Sequence, residues 1–263
     1  MTDAGFAKTY GPWAVIAGGS EGVGSALAER LAQKGLSLLL IARKPGPLAA
    51  VAADIRKRFG GDVLTLSLDL SSADCVPKLV EATQDREVGL LIYNAGADTG
   101  FKYFVDRPLE ESERMIMLNV MTPMRLARHF APGMTQRGRG GIIMCSSISG
   151  CGGSPGNGVY SAVKAFINTF TEMLWYEVGK KGVDVLGAIL GLTRTPAMER
   201  LGVNFDGPMG AADPAQVADE VLENIKKGPA LHASGTYDNA MRIRALPRDK
   251  AVQTLAGVTE SVQ

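Results

Sequence analysis

Residues 13–24 read WAVIAGGSEGVG, an apolar run that passes directly into a glycine-rich turn. The apolar part predicts a buried strand, and a helix is predicted to begin at about Val23. Glycine permits the tight turn between them and lets a pyrophosphate approach the backbone, while the helix N-terminus offers free N–H groups to that anion. The spacing is G-x-x-x-G-x-G rather than the commoner G-x-G-x-x-G. A glycine-rich turn alone is a weak signal, but its place between the first strand and the first helix predicts a dinucleotide site.

Outward from this turn, apolar strand-like runs alternate with helical patterns. Continuous apolar strands separated by helices indicate a parallel sheet covered on both faces. Right-handed crossovers then give an α/β, doubly wound Rossmann-type fold of about seven parallel strands, in a single domain that spans residues 1–263. Strands are predicted at 13–17, 36–42, 63–68, 88–93, 141–146, 183–190 and 229–232, and helices at 23–34, 47–59, 71–86 (with Ser71 or Ser72 as N-cap), 109–135, 158–181 and 214–227 (with Asp213 as N-cap).

The composition gives no reason to expect nucleic acid, a metal ion or a membrane as a partner. The chain carries 28 Lys plus Arg and 27 Asp plus Glu, a formal charge of +1, so no basic surface for a polyanion is indicated. Three cysteines and two histidines show no metal-ligand spacing, so we expect no metal site. The odd cysteine count argues against disulfides and favours a reducing compartment, the cytoplasm. Residues 1–10 contain no apolar signal segment.

Tyr160 and Lys164 are four residues apart near the start of a predicted helix. This spacing places them on one helical face, so the phenol and the ammonium can face one site. A phenol titrates near pH ~10, and a nearby cation lowers that value. A hydride-transfer enzyme needs such a group to protonate a new alkoxide or to deprotonate an alcohol. Taken alone, however, a Tyr-x-x-x-Lys spacing is more often an ordinary surface pair.

Ser147 and Asn119 make the pattern more specific. Ser147 follows the predicted strand 141–146, and the catalytic groups of doubly wound folds gather at the carboxyl ends of strands. Its hydroxyl could hold a substrate oxygen next to the phenol of Tyr160. Asn119 lies in the middle of a predicted helix, where Asn is a poor helix former. It is either a satisfied polar residue or the holder of a water in a proton relay.

These four residues resemble the catalytic set of the short-chain dehydrogenase/reductase family, in its short single-domain branch, and the resemblance covers about residues 10–231. The family's helix Asn, its Ser thirteen residues before the Tyr, and its Y-x-x-x-K motif match Asn119, Ser147, Tyr160 and Lys164. The resemblance implies that Tyr160 is the acid/base and that Lys164 lowers its pKa and holds the ribose. It also implies that Ser147 orients the carbonyl and that Asn119 completes a proton relay.

The family's cofactor motifs are matched with three departures. Its T-G-x-x-x-G-x-G has Ala17 in place of Thr, its N-N-A-G has Tyr93 in place of the first Asn, and its P-G-x-x-x-T has Leu190 in place of Pro. The resemblance also implies that Asp69, after the third strand, contacts the adenine. The residues so predicted to bind the cofactor are Gly18, Ser20, Glu21, Gly22, Val23, Gly24, Arg43, Asp69, Leu70, Asn94, Ala95, Gly96, Tyr160, Lys164, Gly191, Thr193 and Thr195.

The end of the second strand bears on the choice between NADP and NAD. An acidic residue there would bond the adenosine ribose and repel a 2′-phosphate. Ala42 cannot do so, while Arg43 can clamp a phosphate or be a solvated loop residue. In the resembled family, members that prefer NADP often carry Arg here, although Glu21 occupies a position that is often basic in them. NADP(H) is therefore favoured, with NAD(H) as the alternative.

The substrate is hardly encoded in the sequence. By analogy with the family, residues of about 191–212 are expected to form a lid, and 237–263 a C-terminal extension. The lid suggests an apolar, fairly bulky substrate (steroid-, acyl- or aromatic-like), unless its apolar side chains simply pack on the core. Residues 10–15 and 246–248 resemble the branch that contains steroid and long-chain 3-ketoacyl reductases. The apolar lid residues are Met198, Leu201, Val203, Phe205 and Met209.

Functions of two classes fit this pattern. The first is an oxidoreductase that interconverts a ketone and a secondary alcohol with NADP(H), or an NAD-dependent alcohol dehydrogenase of the same family. The second is a catalytically silent nucleotide-binding regulator, which loss of Tyr160 or Lys164 would signal. Because both residues are present, the enzyme is favoured.

The two long predicted helices, 109–135 and 158–181, bear on assembly. In the resembled family they pack against their copies in a neighbouring subunit. One sheet face can bury only part of a helix that is apolar beyond one stripe. We therefore expect a homodimer or homotetramer, unless the C-terminal extension covers these helices within one chain. The i,i+4 stripe of the second helix consists of Phe166, Phe170, Leu174 and Val178.

Overall fold

The computed structural model describes residues 2–96, 100–205 and 210–262, except for the side chains of residues 258 and 260–262. The bounds of its seven strands lie within one residue of the prediction. The strands are β1 (Trp13–Ala17), β2 (Ser37–Ala42), β3 (Val63–Ser67), β4 (Val88–Tyr93), β5 (Gly140–Ser147), β6 (Val183–Leu190) and β7 (Ala230–His232). They form one parallel sheet in the order β3-β2-β1-β4-β5-β6-β7. The predicted doubly wound fold is confirmed.

Helices cover both faces of this sheet. Their bounds are α1 (Asp3–Tyr10), α2 (Gly22–Gln33), α3 (Pro45–Phe59), α4 (Cys75–Thr83), α5 (Leu109–Ile116), α6 (Thr122–Arg137), α7 (Gly158–Gly179), α8 (Pro196–Arg200), α9 (Pro214–Glu223), α10 (Tyr237–Ala245) and α11 (Arg248–Val262). Successive strand residues point to opposite faces. In β1, Ile16 therefore packs with Leu27 of α2 on one face, while Val15 packs with Leu126 of α6 on the other. Burial on both faces explains why the strands are continuously apolar.

The order of the strands places the site. From β1 the chain builds outward through β2 to β3, and it then returns to add β4 on the opposite side of β1. The connections after β1 and β4 therefore diverge and leave a crevice at the carboxyl ends of these two strands. In open α/β sheets this switch point is where ligands bind. The glycine loop follows β1, and the Asn94-Ala95-Gly96 segment follows β4.

The prediction of one continuous helix over 109–135 is wrong. A π-helical turn, Met117–Met121, lies between α5 and α6. The Tyr93 hydroxyl donates to the carbonyl oxygen of Leu118 at 2.5 Å, and the Asn119 side-chain amide donates to the carbonyl oxygen of Met115 at 3.1 Å. A π turn widens the helix, so some of its carbonyl groups need partners other than the ordinary helical N–H. Side chains supply them here.

The helix predicted over 71–86 starts later than expected, at Cys75, and neither serine caps it. The N–H and hydroxyl of Ser71 donate to Asp69 Oδ1 at 2.9 and 2.7 Å. The hydroxyl of Ser72 donates to the carbonyl oxygen of Asp69 at 2.7 Å. The serines therefore form a turn that fixes Asp69, instead of the first turn of a helix.

The helix predicted over 214–227 is also shorter than expected. It ends at Glu223, and residues Ile225–Lys227 form a 3₁₀ turn. The predicted N-cap is confirmed, because Asp213 Oδ1 accepts from the N–H of Ala215 at 2.8 Å and of Gln216 at 3.2 Å. Asp213 therefore satisfies two of the free donors at the start of α9.

The C-terminal extension contains α10 and α11, two helices that were not predicted from the sequence. Their apolar residues form a small separate cluster with Cys151. The Thr259 hydroxyl lies 2.7 Å from the Ser154 hydroxyl. The extension therefore packs on residues 148–157, between β5 and α7. Within the described ranges, no helix is long and apolar enough to cross a bilayer, and no His, Cys, Asp and Glu side chains cluster as metal ligands would.

Candidate active site

The glycine loop, residues 18–24, is packed too closely for side chains. Gly18 has a φ of +86°, and a Cβ there would lie 2.8 Å from the Ala95 nitrogen. A Cβ on Gly24 would collide with the Gly18 carbonyl oxygen. The Gly18 N–H donates to the Ile41 carbonyl oxygen at 2.8 Å, and Asn94 Nδ2 donates to the Gly18 carbonyl oxygen at 3.1 Å. The loop thus leads into the N-terminus of α2 as a rigid backbone cradle, which fits a pyrophosphate.

The remaining loop positions play different parts. Val23 is buried in the core, so that only its backbone faces the cradle, and Ser20 is half-buried. Glu21 is the N-cap of α2, but its carboxylate makes no capping hydrogen bond. Instead it forms a two-point ion pair with the guanidinium of Arg200, at the end of α8. The Glu21 side chain therefore points toward α8 and not onto its own helix.

Asp69, Arg43 and Arg114 meet beyond the end of β2. Arg114 Nη2 donates to Asp69 Oδ2 at 2.8 Å. Burial alone would raise the pKa of Asp69, but hydrogen bonds from Ser71 and the charges of Arg114 and Arg43 hold it below its usual range. Leu70 is buried, and its carbonyl oxygen accepts from Thr122 at 2.8 Å. This end of the site is an anionic carboxylate held between two cations.

The segment after β4 brings three elements together. The N–H groups of Asn94 and Ala95 both donate to the Ala17 carbonyl oxygen at 2.9 Å. Gly96 has a φ of +143°, and a Cβ there would collide with Asn119 Oδ1 and lie 3.0 Å from Lys164 Nζ. The loop after β4, the π turn and α7 therefore share one small space beside Gly96.

Lys164 is a buried cation at this junction. It is 4% exposed, its Nζ donates to the Cys145 carbonyl oxygen at 3.1 Å, and the same Nζ lies 5.4 Å from the centre of the Tyr160 ring. Burial lowers the pKa of Lys164 to about 8. The neighbouring Cys145 thiol is uncharged at pH 7, because burial raises its pKa to about 12. Among the described residues Nζ uses one of its three donors, and it lies beside the space next to Gly96.

Ser147 and Tyr160 lie at the same edge of the sheet. Ser147 ends β5, and its hydroxyl accepts from the N–H of Ser149 at 3.2 Å. Tyr160 is half-buried in the first turn of α7. The Ser146 hydroxyl donates to the Lys164 carbonyl oxygen at 3.0 Å and so fixes α7 against the end of β5. The structure therefore brings the four predicted catalytic residues to one edge of the sheet.

The segment after β6 returns to the glycine loop. The Thr193 hydroxyl donates to the Gly191 carbonyl oxygen at 3.2 Å. The Thr195 hydroxyl caps α8 by accepting from the Met198 N–H at 3.3 Å. A Cβ on Gly22 would lie 2.8 Å from the Thr195 methyl group. Thr195 therefore covers the glycine loop directly.

Of the predicted lid, residues 191–205 and 210–212 are described. Val203 is buried, whereas Met198, Leu201 and Phe205 are half-buried. The Phe205 ring centre lies 4.7 Å from the guanidinium carbon of Arg194. Met209 lies outside the described residues. The apolar lid residues are thus divided between packing inward and lining the surface.

Two functional candidates were missed by sequence reasoning. Arg114 pairs with Asp69 across 45 residues, and Arg200 pairs with Glu21 across 179 residues. Neither pairing follows from a local motif, because each arginine lies on a separate helix whose position is set by the packed sheet. Complementary charge is the only signal in the sequence, and it does not identify a partner.

The whole arrangement matches one family. The family model for short chain dehydrogenase covers residues 12–204, which include the glycine loop, Asn119, Ser147, Tyr160 and Lys164. The chain therefore belongs to the short-chain dehydrogenase family, and it is an oxidoreductase.

Two curated relatives and one solved structure show which members of this family the chain is similar to. The chain is 35% identical over 226 residues to a 7β-hydroxysteroid dehydrogenase of Mediterraneibacter gnavus, covering 84% of this chain and 85% of that protein. It is 34% identical over 186 residues to a very-long-chain 3-oxoacyl-CoA reductase of Bos taurus, covering 70% and 60%. A short-chain dehydrogenase from Sphingobium yanoikuyae, solved in complex with NADPH, has a TM-score of 0.77 and 29% identity over 96% of both chains. The predicted resemblance to steroid and ketoacyl reductases is confirmed, and the protein acts on hydroxyl or keto groups.

Proposed function

We propose that the protein is an NADP(H)-dependent oxidoreductase that interconverts a ketone and a secondary alcohol on an apolar, fairly bulky substrate. The observation that carries this proposal is the buried Lys164 ammonium, which lies beside the Tyr160 ring and faces Asn119 across Gly96. A desolvated cation next to a phenol favours the phenolate. Such a phenol titrates closer to neutrality and is then a suitable acid/base for an alcohol.

Each side chain has a distinct part in this chemistry. When bound, the nicotinamide cofactor supplies or accepts the hydride at the carbonyl carbon. The Tyr160 phenol gives its proton to the substrate oxygen in reduction and takes it back in oxidation, while the Ser147 hydroxyl holds that oxygen. Lys164 stabilises the phenolate and uses its remaining donors on the ribose. Asn119 Oδ1 is buried and meets no donor among the described residues, so it can hold the water that returns the proton.

NADP(H) is the favoured cofactor. β2 ends at Ala42, so no carboxylate at that position opposes a 2′-phosphate. Arg43 is exposed, and its charge reaches Asp69, which puts a cation at the adenosine end of the site. The NADPH complex of the Sphingobium yanoikuyae protein supports the same choice. NAD(H) is the alternative, because Glu21 stands where a cation would favour the phosphate.

The substrate pocket would lie between the lid, residues 191–212, and the loop 148–157. Ser147 and Tyr160 flank that loop, and the C-terminal extension, residues 237–263, packs against it from outside. The apolar character of the described lid residues supports a hydrophobic substrate. The names of the two curated relatives, a hydroxysteroid dehydrogenase and a very-long-chain 3-oxoacyl-CoA reductase, support the same class.

We further propose a homodimer or homotetramer formed through the helices α5 to α7. The predicted stripe on α7 packs against the chain's own core, so that a partner would contact the other side of the helix. An apolar groove of about 480 Å³ lies between Ile116, Val120 and Ala162. The C-terminal extension packs on the loop 148–157, which favours a partner subunit over intrachain cover. The exposed apolar side chains of these helices are Leu109, Ile116, Met173, Trp175 and Tyr176.

We also propose that the protein works in a reducing compartment, the cytoplasm. Its three cysteines are free and buried, at positions 75, 145 and 151. Free thiols persist where the redox buffer keeps them reduced.

Tyr160→Phe tests the proposed function, because it removes the proton donor alone. We expect unchanged folding and NADPH binding, and a kcat lower by roughly 10²–10⁴-fold on a panel of steroid, 3-oxoacyl and aromatic ketones. Tyr176→Phe is the matched control, since that tyrosine lies exposed on the same helix. Near-normal turnover by Tyr160→Phe would refute the assigned acid/base. A wild-type protein that binds NADPH but turns over no ketone or alcohol would instead favour the regulator.

A further inference from the structure

The ion pair between Glu21 and Arg200 joins the glycine loop to the lid. Nη1 of Arg200 donates to Oε2 of Glu21 at 3.0 Å, and Nη2 donates to Oε1. Both carboxylate oxygens are therefore engaged by one planar guanidinium, the geometry that gives such pairs their directionality. Their side chains are 31% and 50% exposed. The pair lies at the surface, where it can form and break.

A second contact fixes the other end of α8 to the same loop. Thr195, the N-cap of α8, packs against Gly22, and Arg200 is the last residue of that helix. α8 therefore lies along the loop, touching it through neighbouring residues at both of its ends. A pyrophosphate bound at the N-terminus of α2 would lie beside this pair of contacts.

The carboxylate of Glu21 lies at a position in the glycine loop where a negative charge is unfavourable for phosphate binding. A free carboxylate beside a helix N-terminus is attracted to the first free N–H groups of that helix. These are the donors that a bound phosphate requires. In this structure the Glu21 carboxylate accepts from no N–H group of α2 and is held by Arg200 instead.

We propose that Arg200 is a positioning residue for the dinucleotide: it holds the Glu21 carboxylate away from the N-terminus of α2 and holds α8 over the glycine loop. This inference rests on the proposed dinucleotide site and deepens it. Loss of Arg200 has two consequences. The lid loses its second contact, and the freed carboxylate competes with the pyrophosphate for the same N–H groups and repels its charge.

The two consequences differ in size. An exposed ion pair is weak, so loss of the lid contact alone raises the dissociation constant and the release rate of NADPH by about threefold. An unpaired carboxylate next to a phosphate adds repulsion of a like charge at short range. Arg200→Met, which leaves that carboxylate free, therefore weakens NADPH binding by roughly tenfold or more. Glu21→Gln, which removes the carboxylate, shows only the smaller loss.

The test is a double-mutant cycle on the full chain. NADPH and NADH affinity is measured by fluorescence titration, and NADPH release by stopped flow, for wild type, Glu21→Gln, Arg200→Met and the double variant. We expect Glu21→Gln to rescue Arg200→Met, so that the double variant binds like Glu21→Gln. Arg30→Met is the matched control, because Arg30 of α2 forms a similar two-point pair with Asp219 of α9. It should leave affinity and release rate unchanged.

Hydrogen exchange without cofactor provides a second readout. Amides of α8 should exchange faster in Arg200→Met and Glu21→Gln than in wild type and Arg30→Met. Additive losses in the cycle, or a double variant as weak as Arg200→Met, would overturn the proposal, as would unchanged exchange in α8. Failure of wild type to bind either dinucleotide would instead refute the proposed function, while exchange would still report whether the pair holds α8.

Discussion

Replacing Lys164 by methionine should abolish turnover and yet make the cofactor-free protein more stable at pH 7. The lysine ammonium is 4% exposed, and its burial lowers the pKa of Lys164 to about 8 from a usual value of 10.5. A shift of that size corresponds to roughly 3 kcal/mol of cost for holding the charged form in the folded state. Methionine has a similar length and carries no charge, so this cost disappears in the variant.

The gain is offset in part by a lost hydrogen bond. Lys164 Nζ is the donor to the Cys145 carbonyl oxygen at 3.1 Å, and an unpaired buried carbonyl costs about 1–3 kcal/mol. We therefore expect the free energy of unfolding of the variant at pH 7 to exceed that of the wild type by up to about 2 kcal/mol. Activity falls because the phenol of Tyr160 loses its neighbouring cation. Higher stability with lost activity is the expected trade-off at a site that holds a buried, desolvated charge.

The difference in stability between the variant and the wild type should depend on pH, and its direction follows from the lowered pKa of Lys164. Below pH 8 the lysine is protonated in both states, so the cost is fully present. Between pH 8 and 10.5 the unfolded state binds more protons than the folded state, and the stability of the wild type therefore rises with pH. The methionine variant has no group at this position that titrates, so its stability lacks this dependence on pH. The difference in stability between variant and wild type should shrink from pH 7 to pH 10.

The assay is urea unfolding of the cofactor-free protein at one protein concentration, at pH 7, 8.5 and 10. Comparing the two proteins at each pH cancels the titration of all other groups. Lys181→Met is the matched control, because Lys181 is exposed just after α7, and its effect should stay within ±0.5 kcal/mol. A Lys164→Met variant that is less stable than wild type at pH 7, or a difference that does not change with pH, would refute the reasoning.

Two further predictions concern the cofactor and the assembly. Arg43→Ala should weaken NADPH binding much more than NADH binding, by roughly 1.5–3 kcal/mol, because only NADPH carries the phosphate that this residue would clamp; an equal loss for both cofactors in kinetic measurements would show that Arg43 is not the clamp. Light scattering over a dilution series should give a dimer or tetramer at micromolar concentration, and Trp175→Glu, on the exposed face of α7, should lower the mass. The mass of one subunit for the wild type would mean that no partner covers these helices.

Much of the fold was predictable because the relevant signals are local. The strand β4, Val88–Tyr93, is apolar throughout and buried at every position, and such a run is recognised without knowledge of its neighbours. The glycine loop was recognised for the same reason, since its turn and the helix start follow each other directly in the chain. The family's four catalytic positions were also recognisable from residue type and spacing alone. They are Asn119, Ser147, Tyr160 and Lys164.

The errors arose where side-chain hydrogen bonds compete with a regular helix, in one case within a turn and in the other between distant segments. Ser71 and Ser72 suit a helix N-cap by residue type, but Asp69 takes both hydroxyls. In the π turn around Asn119, the Leu118 carbonyl oxygen accepts from the hydroxyl of Tyr93, which lies 25 residues away in β4. Periodicity describes one element at a time, so it favoured a continuous helix there.

The sequence by itself determined the strands, the parallel sheet and the place of the glycine loop, and it predicted the catalytic set. Only the tertiary structure decided the burial of Lys164, the cations beside Asp69, and the pairing of Glu21 with Arg200. The physical reason is that hydrophobic periodicity and turn chemistry act over a few residues, whereas the energy of a charge depends on how much solvent and which other charges surround it. That environment exists only after the chain has packed.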